Sequence, residues 1–232
     1  MKKMIVDTSS TAASVAVLED GLIKGEFTIH TERTHSEKLM PMIESLMRGL
    51  DLKIEDIDEF VVCEGPGSFT GVRIGISTVK AFAQPFDKPI KTFTSMKLLS
   101  GAFSYHDGLV LSMVDAKRDS VYYGLYRWHH GCVLTVEEGV KNIEVLLNDL
   151  ENHFLNEHVM VTGDATWIYR DAFKRLDNLN LHNQYVMTDQ KIAVLSASNY
   201  RHIEDDKGEV HKYNEVKANY MKKSQAERDF NL

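Results

Sequence analysis

Short apolar runs alternate with small polar turns at the start of the chain. Met4-Ile5-Val6 is apolar, Asp7 to Ala13 is small and polar, and Ser14 to Leu18 is apolar again. A third run, Leu22 to Ile29, follows a turn at Asp20-Gly21. This pattern predicts an antiparallel three-stranded meander. The period then changes. Leu39, Met42, Ile43, Leu46, Met47 and Leu50 recur at helical spacing behind the capping-box pattern Thr34-His35-Ser36-Glu37. Pro41 inside this helix predicts a lost hydrogen bond and a bend. A short strand at 60–63 and a glycine-rich turn lead to a second helix, Val72 to Gln84.

The second half begins in the same way. Leu109 to Val114 is apolar and runs into Asp115; Ala116 to Asp119 is polar; Ser120 to Tyr126 reads as a strand. Asp7 followed by Ser14-Val15, and Asp115 followed by Ser120-Val121, look like two copies of one hairpin at a period of about half the chain. Helix 142–154, strand 159–162, helix 168–176, strand 185–187 and helix 192–203 follow, before a highly charged tail. The expected class is α/β, with two similar lobes, each a mixed sheet carrying helices. We divide them at 1–106 and 107–209, with the tail 210–232 able to return to the first lobe.

The sharpest local signal is Gly65-Pro66-Gly67-Ser68-Phe69-Thr70-Gly71-Val72-Arg73-Ile74-Gly75, which holds four of the fourteen glycines. A strand, a glycine-rich turn and a helix N-terminus bring backbone N–H groups close to an anion, or one backbone close to another. Ser68 or Thr70 is placed to cap the helix. The serine directly follows Gly67, so the Gly-x-Ser-x-Gly spacing of a nucleophile elbow fails.

Composition narrows the classes. No apolar run approaches the roughly 18 residues of a membrane span, and Met1-Lys2-Lys3-Met4-Ile5-Val6-Asp7 offers no signal-peptide core. Cys63 and Cys132 are too few and too far apart for a disulfide framework or a thiolate metal site. These features make the cytoplasm the expected compartment. A net charge of −7 argues against a broad nucleic-acid-binding face.

Duplicated lobes that each open with strand, Asp, turn and strand resemble the actin/Hsp70/sugar-kinase superfamily. Within it the chain is similar to the TsaB (YeaZ) family through Asp7-Thr8-Ser9, His35-Ser36-Glu37-Lys38-Leu39-Met40-Pro41, the Gly65–Gly75 motif and the closing segment Tyr220 to Glu227. Ala218 departs from that segment, where the family carries proline. The likeness is close over 1–126 and looser from 127 to 215. It implies a scaffold without an active site, bound to the catalytic paralogue TsaD. That enzyme places threonylcarbamoyl on N6 of adenosine 37 in tRNAs reading codons that begin with A. It also implies a TsaE-like ATPase in the larger complex, homodimerisation when alone, and contact with tRNA only through the complex. Older naming attaches the word glycoprotease to the wider family.

The residues bear on this. In TsaD-like proteins two metal-binding histidines stand four apart, where this chain has Ser95 and Leu99; leucine is no ligand and serine a poor one. We therefore expect no metal and no catalytic residue. Kinases of the superfamily wrap phosphates in Asp-led turns that contain glycine. The turns after Asp7 and Asp115 contain none, so Asp7, Thr8, Ser9, Asp115, Lys117 and Arg118 are read as a vestigial nucleotide site, and no cofactor is expected. Asp7 and Asp115 are expected to bond their own turns. Independent ATP-dependent or metallopeptidase chemistry is the alternative.

Gly71 and Gly75 share a helix face, and each costs about 1 kcal/mol relative to alanine. Close approach of the first helix is the expected compensation. That helix is apolar on more than one side. One account buries it in a single internal core. The other gives one stripe to the sheet and one to a second molecule, and the resemblance favours this second account. The expected interface is His35, Leu39, Met42, Ile43, Leu46, Met47, Phe69, Gly71, Arg73, Ile74, Gly75 and Thr78. Arg73 is expected to face a carboxylate of this chain or of the partner.

Overall fold

A computed structural model describes residues 1–30, 35–154, 157–177, 185–187, 196–203 and 210–221. It divides into two compact units, Met1–Leu98 with Leu195–Leu232, and Leu99–Val194.

In the first unit β1 (Lys2–Asp7), β2 (Ala12–Glu19) and β3 (Leu22–His30) form an antiparallel meander. Then come α1 (His35–Gly49), β4 (Glu59–Gly65), α2 (Phe69–Ala83) and β5 (Ile90–Thr94). α3 (Ser95–Gly101) leads the chain out. β4 runs parallel to β1, with Val62 opposite Val6, and β5 runs parallel to β4. β1 and β2 are buried almost throughout, as expected of central strands covered on both faces. Alternate residues of the sheet (Met4, Val6, Ala13, Val15 and Val17) share one core with Leu39, Ile43 and Met47 of α1 and Val72, Ile76 and Val79 of α2. Ser14 points to the other face, where its hydroxyl accepts from the amide of Ala197, 2.8 Å away, at the start of a 3-10 turn over Ala197–His202.

The second unit repeats the scheme. β6 (Gly108–Asp115), β7 (Ser120–His129) and β8 (Cys132–Asn142) form a meander. α4 (Ile143–His153), β9 (Val159–Thr162), α5 (Asp164–Ile168), α6 (Arg170–Asp177) and β10 (Tyr185–Met187) follow. β9 is parallel to β6, and β10 to β9. A last strand, β11 (Val210–His211), pairs antiparallel with β5 of the first unit. Apart from β11, both sheets have one strand order, fifth-fourth-first-second-third. The duplication suggested by the two Asp-led hairpins is thus a repeat of topology.

Several expectations change. β5, α3, β8 and β11 had no clear signal. β8 is exposed or half-buried along its whole length, so burial imposes no period-two pattern on it. The single helix expected at 168–176 is two short helices, because Gly163 (φ +104°) starts α5 early and Tyr169 (φ −105°, ψ 18°) ends it. The helix expected at 192–203 is a 3-10 turn over 197–202, and 192–195 lie outside the described residues. Thr34 of the capping box and the tail beyond 221 also lie outside them. α1 runs from His35 to Gly49 with Pro41 inside it.

Candidate functional site

The glycine motif is the hub of the first unit. β4 ends at Gly65, whose φ of +101° an L side chain rarely adopts. The chain turns, and the Ser68 amide donates to the carbonyl of Ser9 at 2.6 Å. Ser68, not Thr70, caps α2: its hydroxyl accepts from the Gly71 amide at 3.2 Å. The glycines then face the turn after β1. A Cβ on Gly67 would stand 2.2 Å from the Ser9 carbonyl oxygen, one on Gly71 2.0 Å from that of Thr8, and one on Gly75 2.6 Å from Thr8 Oγ1. Thr8 Oγ1 donates to the Gly71 carbonyl at 2.7 Å. The compensation for the helix glycines is therefore contact with Thr8, while Gly67 in the preceding turn meets Ser9. The expectation that α1 fills this space is corrected: Gly71 and Gly75 share a face, and the β1–β2 turn occupies it.

That contact seals the first Asp-led turn. Asp7 is fully buried, and its Oδ1 accepts from the Ser9 amide at 2.7 Å. Burial pushes its carboxyl above the ordinary carboxylate range. Burial also pushes the nearby Cys63 thiol well up, which leaves it a poor nucleophile. His35 Nε2 donates to the Ser10 carbonyl at 2.7 Å and ties the start of α1 to the same turn.

The second Asp-led turn is open. Asp115 Oδ1 accepts from the Lys117 amide at 2.9 Å, and Oδ2 pairs with Lys117 Nζ at 2.7 Å. Burial raises this carboxyl, but the Lys117 ammonium and amide outweigh it and hold the group below its ordinary value. Lys117, Arg118 and Asp119 are all left-handed and exposed. The structure thus brings together Asp7, Thr8 and Ser9 in one unit, and Asp115, Lys117 and Arg118 in the other. Each Asp bonds its own turn, as the sequence suggests.

Ser95 is buried and donates to the Pro66 carbonyl, and Leu99 lies in the core. Neither position is suited to hold a metal. Among the described residues no group of three His, Cys, Asp or Glu side chains is placed to bind one.

The outer face of α1 and α2 has a different character. Met40 is 48% exposed and forms a ridge. On one side lies a groove of about 390 Å³ lined by Ser36, Leu39, Thr70, Arg73, Ile74 and Thr78 among others. On the other, a groove of about 600 Å³ is lined by Pro41, Ile43, Met47, Leu52, Ile54 and Phe82, with Arg48 and Lys53 at hand. Of the expected interface residues, Leu39, Ile43, Met47, Arg73, Ile74 and Thr78 line these grooves. Met42 and Leu46 line neither and belong to the lobe's own core, as do most atoms of Leu39, Ile43 and Met47. His35, Gly71 and Gly75 serve the Thr8–Ser10 turn. Among the described residues Arg73 faces no carboxylate: its Nε donates to the Tyr220 hydroxyl at 2.7 Å, and its guanidinium lies 4.0 Å from the centre of the Phe69 ring. Met40 and Tyr220 are the residues sequence reasoning missed. Nothing in a helical pattern distinguishes Met40 from its buried neighbours, and Tyr220 is distant in sequence.

No helix of the described residues is long and apolar enough to cross a membrane. The duplicated lobes have the actin/Hsp70/sugar-kinase architecture. YeaZ from Pseudomonas aeruginosa shares the fold, with a TM-score of 0.75 at 22% identity over 94% of this chain and 99% of that one. The tRNA threonylcarbamoyladenosine biosynthesis protein TsaB of Bacillus subtilis is 34% identical over 149 residues, 64% of each chain. The protein of the same name from Escherichia coli is 32% identical over 137 residues, 56% of this chain and 59% of that one. Both of these TsaB matches span less than two thirds of the relative's length. The family model described as TsaD, tRNA N6-adenosine threonylcarbamoyltransferase, matches residues 28–230. The chain therefore belongs to the TsaD family and is similar, within it, to the proteins named TsaB and YeaZ.

Proposed function

We propose that the chain is a non-catalytic scaffold that binds a TsaD-like paralogue and is required for N6-threonylcarbamoyladenosine at position 37 of tRNAs reading codons that begin with A. The observation that carries this reading is the outer face of α1 and α2, where exposed Met40 stands between two largely apolar grooves. A continuous apolar face of this kind marks an interaction site more often than a free surface, and methionine suits a surface that repacks against different partners. An interface of standard size buries about 800 Å² per partner. The same face would serve a homodimer when the paralogue is absent. A TsaE-like ATPase joins the assembly, and tRNA is met through the complex in the cytoplasm, in keeping with a net charge of −7.

Three observations support the absence of catalysis by this chain. The Asp7 turn is filled by α2, the Asp115 carboxylate is committed to Lys117, and Ser95 and Leu99 stand where a metal site would need histidines. The test is pairing with a TsaD-like protein on co-expression. Met40→Asp places charge on the exposed face and is expected to abolish pairing with little change in Tm, while Ile74→Asp, at a half-buried position that packs against the core, is expected to abolish pairing with a lowered Tm. Ile43 and Met47 are unsuitable for this test, being 2% and 5% exposed, since charge there would unfold the lobe. Co-purification of the Met40 and Ile74 variants at wild-type yield would refute the assignment. Depletion of the protein in its host is expected to lower threonylcarbamoyladenosine in digested tRNA.

A further inference from the structure

The described C-terminal segment, 210–221, is built into the first unit. β11 lies on the edge of β5, with Val210 opposite Lys91 and His211 opposite Ile90. Val216 is 2% exposed in the core of this unit, and Tyr213 and Ala218 pack against that core. The Asn219 amide donates to the Glu64 carbonyl at 2.8 Å. Its own carbonyl oxygen would stand 3.2 Å from a Cβ on Gly65. The segment thus crosses the glycine motif backbone to backbone. One residue later the Tyr220 ring stacks on Phe69, with ring centres 4.4 Å apart and planes 24° apart. Arg73 lies over the same Phe69 ring and donates to the Tyr220 hydroxyl.

Phe69 and Arg73 are four apart at the start of α2, so they share a face. Arg73 also lines the smaller groove beside Met40. This start of α2 has weak support of its own. Gly71 and Gly75 lower its helix propensity, and a cation near a helix N-terminus opposes the dipole. A long arginine side chain also loses rotamer freedom when a partner fixes it. Tyr220 supplies what is missing, a flat ring beside Phe69 and an acceptor for Nε.

We propose that Tyr220 is a positioning residue for the docking face: it latches the C-terminal segment over α2 and holds Arg73 as a wall of the groove in the geometry the partner meets. The gain is preorganisation, which lowers the ordering cost of association. This rests on the docking reading given under Proposed function. It adds that the face is controlled from a residue that lies at the far end of the sequence.

The test uses the full chain and a TsaD-like partner. Binding is measured by calorimetry, and amide exchange is measured on the isolated chain over 64–75 and 210–221. Tyr220→Ala is expected to speed exchange at the first turn of α2 and at Asn219, leave Tm near the wild-type value, and weaken binding about fivefold. Tyr220→Phe keeps the stack but loses the acceptor for Arg73, and is expected to restore slow exchange and only part of the affinity. Weaker binding by Tyr220→Ala with unchanged exchange would make Tyr220 a contact residue and overturn the positioning role. Wild-type affinity for Tyr220→Ala, alongside loss of binding by Met40→Asp, overturns the latch and leaves the docking face standing. Unchanged binding by Met40→Asp removes the docking reading itself, and the positioning role falls with it.

Discussion

The two units share a strand order and treat their first turn in opposite ways. In each, the fourth strand leads into a glycine of nearly the same conformation, Gly65 at φ +101° and Gly163 at +104°. In the first unit a fifteen-residue helix follows, and its glycines let it settle on Thr8, with Gly67 of the preceding turn against Ser9. In the second a five-residue helix follows, and the close approach is made by Gly163 alone, against the Met113 carbonyl. The turn after β1 is therefore sealed, and the turn after β6 keeps Lys117, Arg118 and Asp119 in solvent. Two carboxylates in matching places acquire opposite shifts. Asp7, cut off from water, is raised; Asp115, paired with Lys117, is lowered. Topology places an acid at the head of a turn, but what covers the turn decides its chemistry.

The largest expected effect tests the sealing contact. Gly71→Ala would drive a Cβ into the Thr8 backbone, a clash the flexible end of a side chain could not relieve. Overpacking of this kind costs about 1–3 kcal/mol or more. Both tryptophans, Trp128 and Trp167, belong to the second unit. Gly71→Ala is thus expected to lose far-UV signal on mild heating before tryptophan emission changes. Gly163→Ala should reverse that order. Coincident transitions in both variants would break the picture of two units with separate cores.

The next effect is in the pH dependence. Asp7 holds its proton more tightly folded than unfolded, so its contribution is most favourable below its ordinary value of 3.8 and declines as pH rises above it. Asp7→Asn is expected to remove that decline, so its stability relative to wild type improves from acid to neutral pH. Asp115 behaves conversely. Its contribution is present above 3.8 and is lost as pH falls through its lower folded value. Asp115→Asn is expected to weaken the second unit at neutral pH and to match wild type in strong acid. Urea midpoints followed by circular dichroism and by tryptophan emission separate the two. Parallel profiles for both variants would cancel the contrast.

The smallest effect concerns Lys117 itself. Its side chain is 83% exposed, so Lys117→Ala should cost less than about 1 kcal/mol after solvent screening. Saturating Mg-ATP is expected to leave Tm of the wild type and of this variant alike. A Tm rise that Lys117→Ala removes would instead restore a nucleotide role to the open turn.

Much of the fold is legible along the chain. The β1–β3 meander, the start of the second hairpin, α4, β9 and β10 follow from runs and periods close to those observed. β8 escapes because an edge strand open to solvent needs no alternation, and β11 because two residues carry no period. The site is legible in its motif and misread in its contacts. The spacing of Gly71 and Gly75 states that something lies close to one face of α2. It is silent on whether that is a helix or a turn. The apolar positions of α1 likewise point to burial, but not to which side chain remains outside. Met42 is turned into the core and Met40 is not, but Met47, one heptad from Met40 and on nearly the same azimuth, is buried too, so what packs over each turn of the helix decides exposure.

What the sequence determined by itself is local: strand and helix periods, the Ser68 cap, turns led by Asp7 and Asp115, and a motif dense enough to mark a family. These depend on interactions between residues a few places apart, so their signal survives in one dimension. Only the tertiary structure decided that α2 and the turn before it rest on Thr8 and Ser9, that Asp7 is sealed while Asp115 is not, and that Tyr220 meets Phe69 and Arg73. Those outcomes depend on which surfaces exclude water from which groups. Desolvation and close packing are set by neighbours far away in the chain, and for the latch the separation is 147 residues.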